Sequence, residues 1–393
     1  MALPRVFSVL GILPSLLALG GVHALTQLAL NLLLQATISS GQMSFGEVVG
    51  AYLGDPGRRA AQVSVVILTW GGLVAYLVII GDVLCGSQSE SSPGLLESLG
   101  EPFSQRPVSL AILSAAVLAP LCLLRSVDSL KSTSVLSMLL SLLFIVITIA
   151  LVINKLSRGS LGRVDWLPAR SVSLADVLGT LPVLATAYVC HYQAHPILAE
   201  MRAPTARRMR KVVNLALGVT TSIYGLTGLS AYLLFTNRTE DDVLKNYGSD
   251  LMVPSGVAAA VQASYSLSLV LTFPLIQFAL RQNLFDLAGW GDARTQPRRF
   301  LGATLLLLLS ELGMALLVPS ITIAFSLLGS TVAVVIGFVL PGLVAVYAMP
   351  DAQRYGRGLL IFGLLLGVAS LTATLYGLVH TQAEPPLPRT RHG

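Results

Sequence analysis

The sequence predicts an all-α polytopic membrane protein whose chain crosses the bilayer about ten times. Of its 393 residues, 54% are hydrophobic and only 11% are charged, and the mean hydropathy is +0.76. A spanning helix needs roughly 20 apolar residues, and about ten such runs follow one another along the chain. We therefore assign residues 1–380 to one transmembrane domain and residues 381–393, which contain prolines and arginines, to a short disordered tail.

The apolar runs are separated by polar connectors with recognisable start and stop signals. Ser173 and Asp176 form a capping-box pattern at the start of the fifth run. The connector 40–59 ends in the turn signal Gly-Asp-Pro-Gly at 54–57. The predicted spans are 6–34, 61–84, 108–124, 133–153, 173–198, 212–235, 257–280, 301–318, 321–347 and 359–379.

The basic residues predict the orientation. The net charge of +6 fits positively charged cytoplasmic loops. No segment combines basic clusters with aromatic residues, so a nucleic-acid surface is not predicted. Placing the basic loop after residue 200 inside leaves the acidic loop 236–250 outside. That loop contains Asn237-Arg238-Thr239, an N-glycosylation triplet with Asn237 as the acceptor.

The fifth span carries a concentration of polar groups. Such groups are costly in a membrane helix and normally face a bundle interior or a solute path. A proline among them leaves a backbone carbonyl without its helical partner. We therefore predict a broken helix that lines a binding site. Ordinary core packing is the competing interpretation. The residues are Thr186, Tyr188, Cys190, His191, Tyr192, Gln193 and His195, followed directly by Pro196.

The two histidines and one carboxylate within an apolar run could carry other chemistry. His191 and His195 are four residues apart, but only Glu200 could supply a third metal ligand, so no metal site is predicted. Glu311 lies deep in an apolar run, where it either pairs across the bundle or carries protons. The sequence has no G-x-x-x-x-G-K-[ST] loop and no H-E-x-x-H motif. Neither a primary pump nor a membrane metalloprotease is therefore predicted.

Five segments occur in an order that matches a known family. They are VIIGD at 78–82, PLCLLR at 120–125, the Cys-His segment 188–196, LTFP at 271–274 and LPG at 340–342. Together they resemble the amino acid/auxin permease family, most closely its sodium-coupled neutral amino acid transporter branch. The resemblance implies a LeuT-like fold of two inverted five-helix repeats plus one helix, with the solute held between broken helices near the midplane.

The start of the chain resembles the end of the family's first helix. Leu3, Pro4, Phe7 and Gly11 are similar to its tail and to the turn that follows. The Gly-rich broken segment expected before them has no counterpart, so the resemblance predicts an N-terminally shortened member in which the first family helix is missing. We expect such a chain to be deficient in ion-coupled uptake, because the first helix supplies part of the solute and ion ligands.

The resemblance implies secondary active transport of small neutral amino acids, such as glutamine or alanine, coupled to sodium or protons. It places Cys190 and His191 next to the substrate or ion path, and Thr272 at a sodium ion, which prefers oxygen ligands. Thr186 and Tyr188 lie where the fifth span is expected to break, so we assign them to the substrate site as well. Glu311 is a candidate proton-linked residue on physical grounds alone.

The expected partners are an amino acid and membrane lipid, with no further cofactor and no nucleic acid. The plasma membrane is the expected location, with a lysosomal or vacuolar membrane as the alternative. We predict that the protein is not an enzyme. Two other functions stay open: a truncated, non-transporting regulatory or amino-acid-sensing protein, and a membrane enzyme that uses His191, His195 and Glu311.

Overall fold

The computed structural model describes residues 2–86, 94–97, 100–124, 131–201, 205–250, 253–291, 293–318 and 320–381. All regular structure in these ranges is helical. Nine helices within them are long and apolar enough to cross a membrane, and Arg106–Cys122 is a shorter apolar helix. The predicted all-α polytopic membrane protein is confirmed. The predicted tail lies outside the described residues from residue 382 onward.

The helices are numbered here in chain order. They are α1 (Leu3–Leu10), α2 (Ile12–Ser40), α3 (Phe45–Cys85), α4 (Arg106–Cys122), α5 (Lys131–Ser157), α6 (Leu174–Tyr188), α7 (Ala194–Glu200), α8 (Ala206–Phe235), α9 (Val243–Ser249), α10 (Ser255–Leu287), α11 (Pro297–Leu317), α12 (Ile321–Ala348) and α13 (Gln353–Thr381). Helix α4 contains the π-helical turn Ser114–Leu118. Helix α12 contains two such turns, Gly329–Ala333 and Val335–Val339.

The first predicted span, 6–34, is wrong at both ends. Gly11 separates α1 from α2 with a φ of +77°, a conformation that L side chains rarely adopt. A β-carbon on Gly11 would lie 2.7 Å from the backbone of Leu167, so the connector before α6 packs directly against this turn. Helix α2 then continues to Ser40. Hydropathy could not place this break because both sides of it are apolar.

The connector predicted at 40–59 is largely helical. Ser44 caps the start of α3, because its side chain accepts a hydrogen bond from the Glu47 amide. The predicted turn at 54–57 is instead a kink inside α3, where Gly54 has a φ of +69°. Pro56 follows in the first turn after the kink, a position that tolerates a missing N–H.

Two helix starts next to the polar cluster are set by local sequence. The capping box predicted at α6 is confirmed, with Ser173 and Asp176 each bonded to the other's backbone amide. Thr205 caps α8 in a similar way by accepting from the Arg208 amide. These caps satisfy N–H groups that a helix start leaves without partners.

Close packing between particular helices positions the polar cluster. Helix α10 packs along α3 and α5, α13 packs along α12 and α6, and α1 lies against α8 and α6. One buried apolar cluster joins α3, α5 and α10 around Leu77, Phe144 and Phe273. A second joins α1, α6 and α12 around Phe7, Leu184 and Phe338. Helix α6 is therefore held on several sides by other helices.

Small residues allow these helices to approach closely, as is usual in membranes. A β-carbon on Gly71 would lie 2.6 Å from Leu328, and one on Gly363 would lie 2.9 Å from Phe338. One on Gly367 would lie 3.2 Å from the Ser330 carbonyl oxygen. Gly71, Gly363 and Gly367 therefore lie at close helix contacts, whereas Gly72 has open space around it.

Candidate functional site

The helix that carries the polar cluster is interrupted inside the bundle. Helix α6 ends at Tyr188, Val189 is extended, and a 3-10 turn over His191–Gln193 leads into α7. The predicted break is confirmed. It lies before Pro196, which sits in the first turn of α7, where a missing N–H costs no helical hydrogen bond. Residues 189–193, hereafter called the break, leave several backbone groups outside the helical ladder.

Helix α8 holds the end of α6 in place through side-chain hydrogen bonds. The Tyr224 hydroxyl donates to the Ala187 carbonyl at 2.9 Å. The Tyr188 hydroxyl donates to Thr221 Oγ1 at 2.9 Å, and His23 Nδ1 lies 2.8 Å from the same oxygen. The Thr221 hydroxyl itself donates to the Leu217 carbonyl one turn back. His23 therefore donates from Nδ1 while that bond persists.

Thr186 is also occupied by a protein contact. Its hydroxyl lies 3.0 Å from the Pro182 carbonyl and 3.1 Å from the Phe325 carbonyl, which joins α6 to α12. In this conformation the hydroxyls of Thr186 and Tyr188 are both satisfied by the protein. Their contacts are those of helix packing, and a role for either one at the substrate stays a prediction.

The histidines of the polar cluster differ in their contacts. His191 is 1% exposed, and neither ring nitrogen has a hydrogen-bond partner within the described residues. His195 Nε2 lies 3.0 Å from Thr37 Oγ1, whose proton goes to the Leu33 carbonyl. Cys190 is a free, half-buried thiol beside His191. His191 therefore keeps its full hydrogen-bonding capacity at the break, whereas His195 is tied to α2.

Four tyrosines from different parts of the chain approach one another near the break, and the sequence analysis did not single out three of them. Tyr76 of α3 lies within electrostatic reach of Tyr192 and Tyr224, and Tyr265 of α10 within reach of Tyr76 and Tyr224. Neither Tyr76 nor Tyr265 makes a hydroxyl hydrogen bond to any other described residue. Tyrosines in apolar runs are usually assigned to the membrane interface rather than to an interior site. The sequence therefore contains no signal that these tyrosines lie together.

Known proteins resemble this chain over almost its whole length. Residues 1–381 match the family described as transmembrane amino acid transporter protein. The chain belongs to that family. It is 34% identical to Amino acid transporter AVT6A of Arabidopsis thaliana, over 99% of this chain and 86% of that protein. It is 33% identical to Amino acid transporter AVT6E of the same plant, over 88% and 72%.

Membership confirms the resemblance to the amino acid permease family and supports amino acid transport as the activity. An amino acid is accordingly the expected substrate class of this transporter. A transporter family also agrees with the prediction that the chain is not an enzyme. The confirmed break suits a binding site, because a broken membrane helix has free backbone N–H and C=O groups. Lipid cannot form hydrogen bonds with these groups, but a polar solute can.

Thr272 lies in a cluster of hydroxyl groups between α5 and α10. It donates to the Ser268 carbonyl at 2.9 Å, and its oxygen is 2.6 Å from Ser137 Oγ. Ser137 and Ser141 each contact Ser268 Oγ, at 2.9 and 2.8 Å. The four hydroxyls, hereafter called the hydroxyl cluster, supply the oxygen atoms that a hard cation prefers. Sodium binding at Thr272 stays a prediction.

Glu311 of α11 is fully buried, and both of its carboxyl oxygens lack a hydrogen-bond partner among the described residues. The Gln277 amide of α10 lies beside it and is also fully buried, but no hydrogen bond of ordinary geometry joins the two groups. An unpaired carboxylate of this kind would cost several kcal/mol in desolvation.

The nearby cation Arg281 is engaged elsewhere. Its guanidinium is 1% exposed, donates to the Cys122 carbonyl and to Thr304 Oγ1, and lies 3.9 Å from the centre of the Phe300 ring. Thr304 is two turns from Glu311 along α11, about 10 Å of helix rise. A unit charge held at Thr304, about that far from Glu311, would contribute only about 2 kcal/mol at an effective dielectric constant of about 20. Arg281 therefore does not offset the cost of ionising Glu311 here.

A buried ionic cluster closes the end of the bundle that carries the 236–250 loop. Asp82, the last residue of the VIIGD segment, accepts from Arg106 of α4 at 2.6 Å. Its other oxygen lies 3.3 Å from Lys245 Nζ of α9. Asp242 caps α9 through the Leu244 amide, and burial raises the pKa of its carboxyl to about 6. These contacts join three helices at one end of the transporter.

The glycosylation triplet lies at the same end. Asn237 belongs to the 3-10 turn Thr236–Arg238 that directly follows α8. Thr239 is buried, and its hydroxyl donates to the Thr236 carbonyl. Glycosylation of Asn237 stays a prediction.

Proposed function

We propose that this transporter is a secondary active carrier of small neutral amino acids, of the size of alanine or glutamine. The observation that carries the proposal is the break in the α6–α7 helix, inside a bundle of membrane-spanning helices. The positive end of a helix dipole and freed N–H groups suit an α-carboxylate, whereas freed carbonyls suit an α-ammonium group. A small zwitterion matches both sets of groups.

The residues we assign to the solute are those with unused hydrogen-bonding capacity. At the break, both ring nitrogens of His191 lack partners and Cys190 has a free thiol, while Tyr76 and Tyr265 approach from two other helices. A solute with a short polar side chain could use these groups. A charged side chain would instead require a buried counter-charge beside the break.

The coupling ion is sodium or a proton. Sodium is supported by the hydroxyl cluster around Thr272, since four hydroxyl oxygens suit its preference for hard ligands. The proton alternative is supported by Glu311 and is developed below. We propose the plasma membrane as the location, with lysosomal or vacuolar membranes as the alternative, and we place the 236–250 loop on the non-cytoplasmic side.

Uptake by purified protein in proteoliposomes tests the function. We expect saturable accumulation of labelled glutamine or alanine that needs an inward gradient of sodium or protons, in contrast to the deficiency in ion-coupled uptake that the resemblance to a shortened family member implies. His191→Ala should lower this uptake, whereas His380→Ala, at the far end of α13, should not. Binding of an amino acid without any uptake would instead favour the sensing function, and absence of both would contradict the proposal.

The orientation has its own test. Expression in a eukaryotic host should yield a form whose gel mobility increases on glycosidase treatment, and Asn237→Gln should remove that change. A cysteine introduced at Asp241 should react with an impermeant reagent applied from the non-cytoplasmic side. Labelling from the cytoplasmic side only would reverse the orientation.

A further inference from the structure

The Glu311 carboxyl is a buried ionisable group without an ion-pair partner in the described part of the bundle. It is 0% exposed, and neither oxygen accepts or donates a hydrogen bond there. The adjacent Gln277 amide is equally buried, and both its oxygen and its nitrogen lack partners. An amide carbonyl can accept a hydrogen bond from a protonated carboxyl, and an amide N–H can donate to an ionised one. Gln277 can therefore serve either form of Glu311 after a small side-chain rotation.

The charged and titratable groups around Glu311 can be named element by element. Arg281 faces the region from α10, and the Cys122 thiol from α4 lies within electrostatic reach of both Glu311 and Arg281. Helix α3 contributes Trp70, which is not titratable and donates to Ser310 next to Glu311. Among the other ionisable groups of α3 and α4, Asp82 pairs with Arg106 and Lys245, and Tyr76 lies near the tyrosines at the break.

This arrangement distinguishes the two protonation states of Glu311. A carboxylate would be buried without a cation, because Arg281 donates to Thr304 and to the Cys122 carbonyl instead, and one amide N–H from Gln277 does not replace the lost hydration of a full charge. A neutral carboxyl carries only the smaller penalty of an unpaired polar group, and Gln277 can relieve it. The conformation seen here therefore fits the neutral form.

We propose that Glu311 is a proton-binding site of this transporter, loaded in the present conformation. On release, the O–H bond of the carboxyl breaks and the proton passes to water as hydronium, leaving a carboxylate. That carboxylate needs a cation, and Arg281 supplies it in a second arrangement in which α10 and α11 have moved relative to each other. Arg281 exchanges its contact with Thr304 for an ion pair with Glu311. Proton release is thus tied to a different helix arrangement.

The coupling to a solute rests on the proposed function, but proton binding does not. The first experiment therefore needs no transport. Infrared difference spectra of the purified protein in lipid nanodiscs, recorded across a pH titration, report the C=O stretch of protonated carboxyl groups. We expect wild type at neutral pH to show a band in the region of buried carboxylic acids that Glu311→Gln lacks and that Ser310→Ala, a neighbouring control, retains.

The second experiment measures proton movement with a pH-sensitive dye inside proteoliposomes that are supplied with glutamine or alanine. We expect Glu311→Gln to reduce solute-driven proton uptake at least tenfold and to flatten the pH dependence of transport. Exchange of labelled solute without an ion gradient should continue in Glu311→Gln, because the substituted amide side chain mimics the neutral carboxyl. Ser310→Ala should behave like wild type in both measurements.

Each outcome decides the proposal. A missing infrared band, or a band unchanged in Glu311→Gln, overturns the proton site. Loss of folding in Glu311→Gln, detected by gel filtration, also overturns it, since a neutral carboxyl should tolerate an amide of the same shape. If wild type carries no amino acid while the band is present, the proposed function fails and the proton site stands.

Discussion

At the scale of single residues, hydrogen-bonding capacity separates structural groups from candidate solute ligands. Thr186 and Tyr188 belong to the predicted site by sequence, but their hydroxyls bind Phe325 and Thr221. Tyr265 and Tyr76 belong to no predicted motif, and their hydroxyls have no bond within the described residues. A hydroxyl near the break that makes no hydrogen bond within the protein is available to a solute, so these two tyrosines are candidate solute ligands.

Tyr265→Phe tests this distinction. The change removes a hydroxyl that makes no bond in the free protein, so we expect thermal stability to be unchanged. If the hydroxyl binds the solute, the KM for labelled glutamine or alanine should rise about two- to tenfold, the value of one hydrogen bond. Tyr247→Phe is the control, because it removes a bond to Thr148 and should lower stability without changing KM. An unaltered KM in Tyr265→Phe would show that the hydroxyl does not bind the solute.

Asp242 gives a pH prediction at the same scale. Burial raises the pKa of this carboxyl from about 4 to about 6 in the folded protein, with the nearby Asp82 carboxylate acting in the same direction. The folded state therefore binds a proton between about pH 4 and pH 6 that the unfolded state has released, so this group adds stability as the pH falls through 6.

The prediction is tested by comparing thermal unfolding of wild type and Asp242→Asn between pH 5 and pH 8. The stability of wild type relative to the variant should be lowest above pH 7 and should increase toward pH 5. Comparison with the variant removes the contribution of other titrating groups. A difference that grows in the opposite direction would show that Asp242 is stabilised as a carboxylate.

At the scale of elements, the break is held by direct contact between α6 and α12. Pro182 and Gly329 meet so closely that a β-carbon on Gly329 would lie 2.1 Å from the Pro182 carbonyl oxygen. The Thr186 bond to Phe325 joins the same two helices. Such an approach allows van der Waals packing, which replaces the hydrophobic effect as the main attraction between helices in lipid.

Gly329→Ala should therefore separate α6 from α12. Overpacking of this kind typically costs about 1–3 kcal/mol, so we expect a clear decrease in thermal stability and reduced uptake. Gly313→Ala in α11 is the matched control, because a β-carbon there meets nothing within 4 Å. Equal stability of the two variants in the same detergent would contradict the close contact.

At the scale of the whole molecule, one end of the bundle is closed by charge rather than by apolar packing. The Asp82 carboxylate holds Arg106 and Lys245, and so joins α3, α4 and α9. Ion pairs of this kind can be exchanged during a conformational change, because their partners can be replaced by water once the cluster opens. The cluster is thus a candidate barrier between the break and the aqueous phase on the side of the 236–250 loop.

Lys245→Met should weaken this barrier. We expect a water-soluble maleimide, applied from the side of the 236–250 loop, to label Cys190 several times faster than in wild type, with Cys85 and Cys122 replaced by serine in both proteins. Arg163→Met is the control, since Arg163 pairs with Asp165 at an exposed site. Identical labelling rates in the three proteins would exclude the ionic cluster as a barrier.

The sequence alone determined the features that depend on composition and on short-range patterns. Apolar runs of about 20 residues are long enough to span the membrane. The capping box at Ser173 specifies a helix start through contacts between residues three apart. The polar cluster at 186–195 also predicted the break correctly, because polar groups in lipid require an interior to face. The family followed from five short segments.

Only the tertiary structure decided which of these groups are already satisfied. The partner of Thr186 lies 139 residues away, and the Thr272 hydroxyl cluster joins residues 135 apart. The isolation of Glu311 depends equally on where Arg281 of another helix donates its hydrogen bonds. A sequence shows which side chains can donate, accept or carry charge. Whether that capacity is used inside the protein or remains for a solute or a proton depends on helix packing, which brings distant residues into contact.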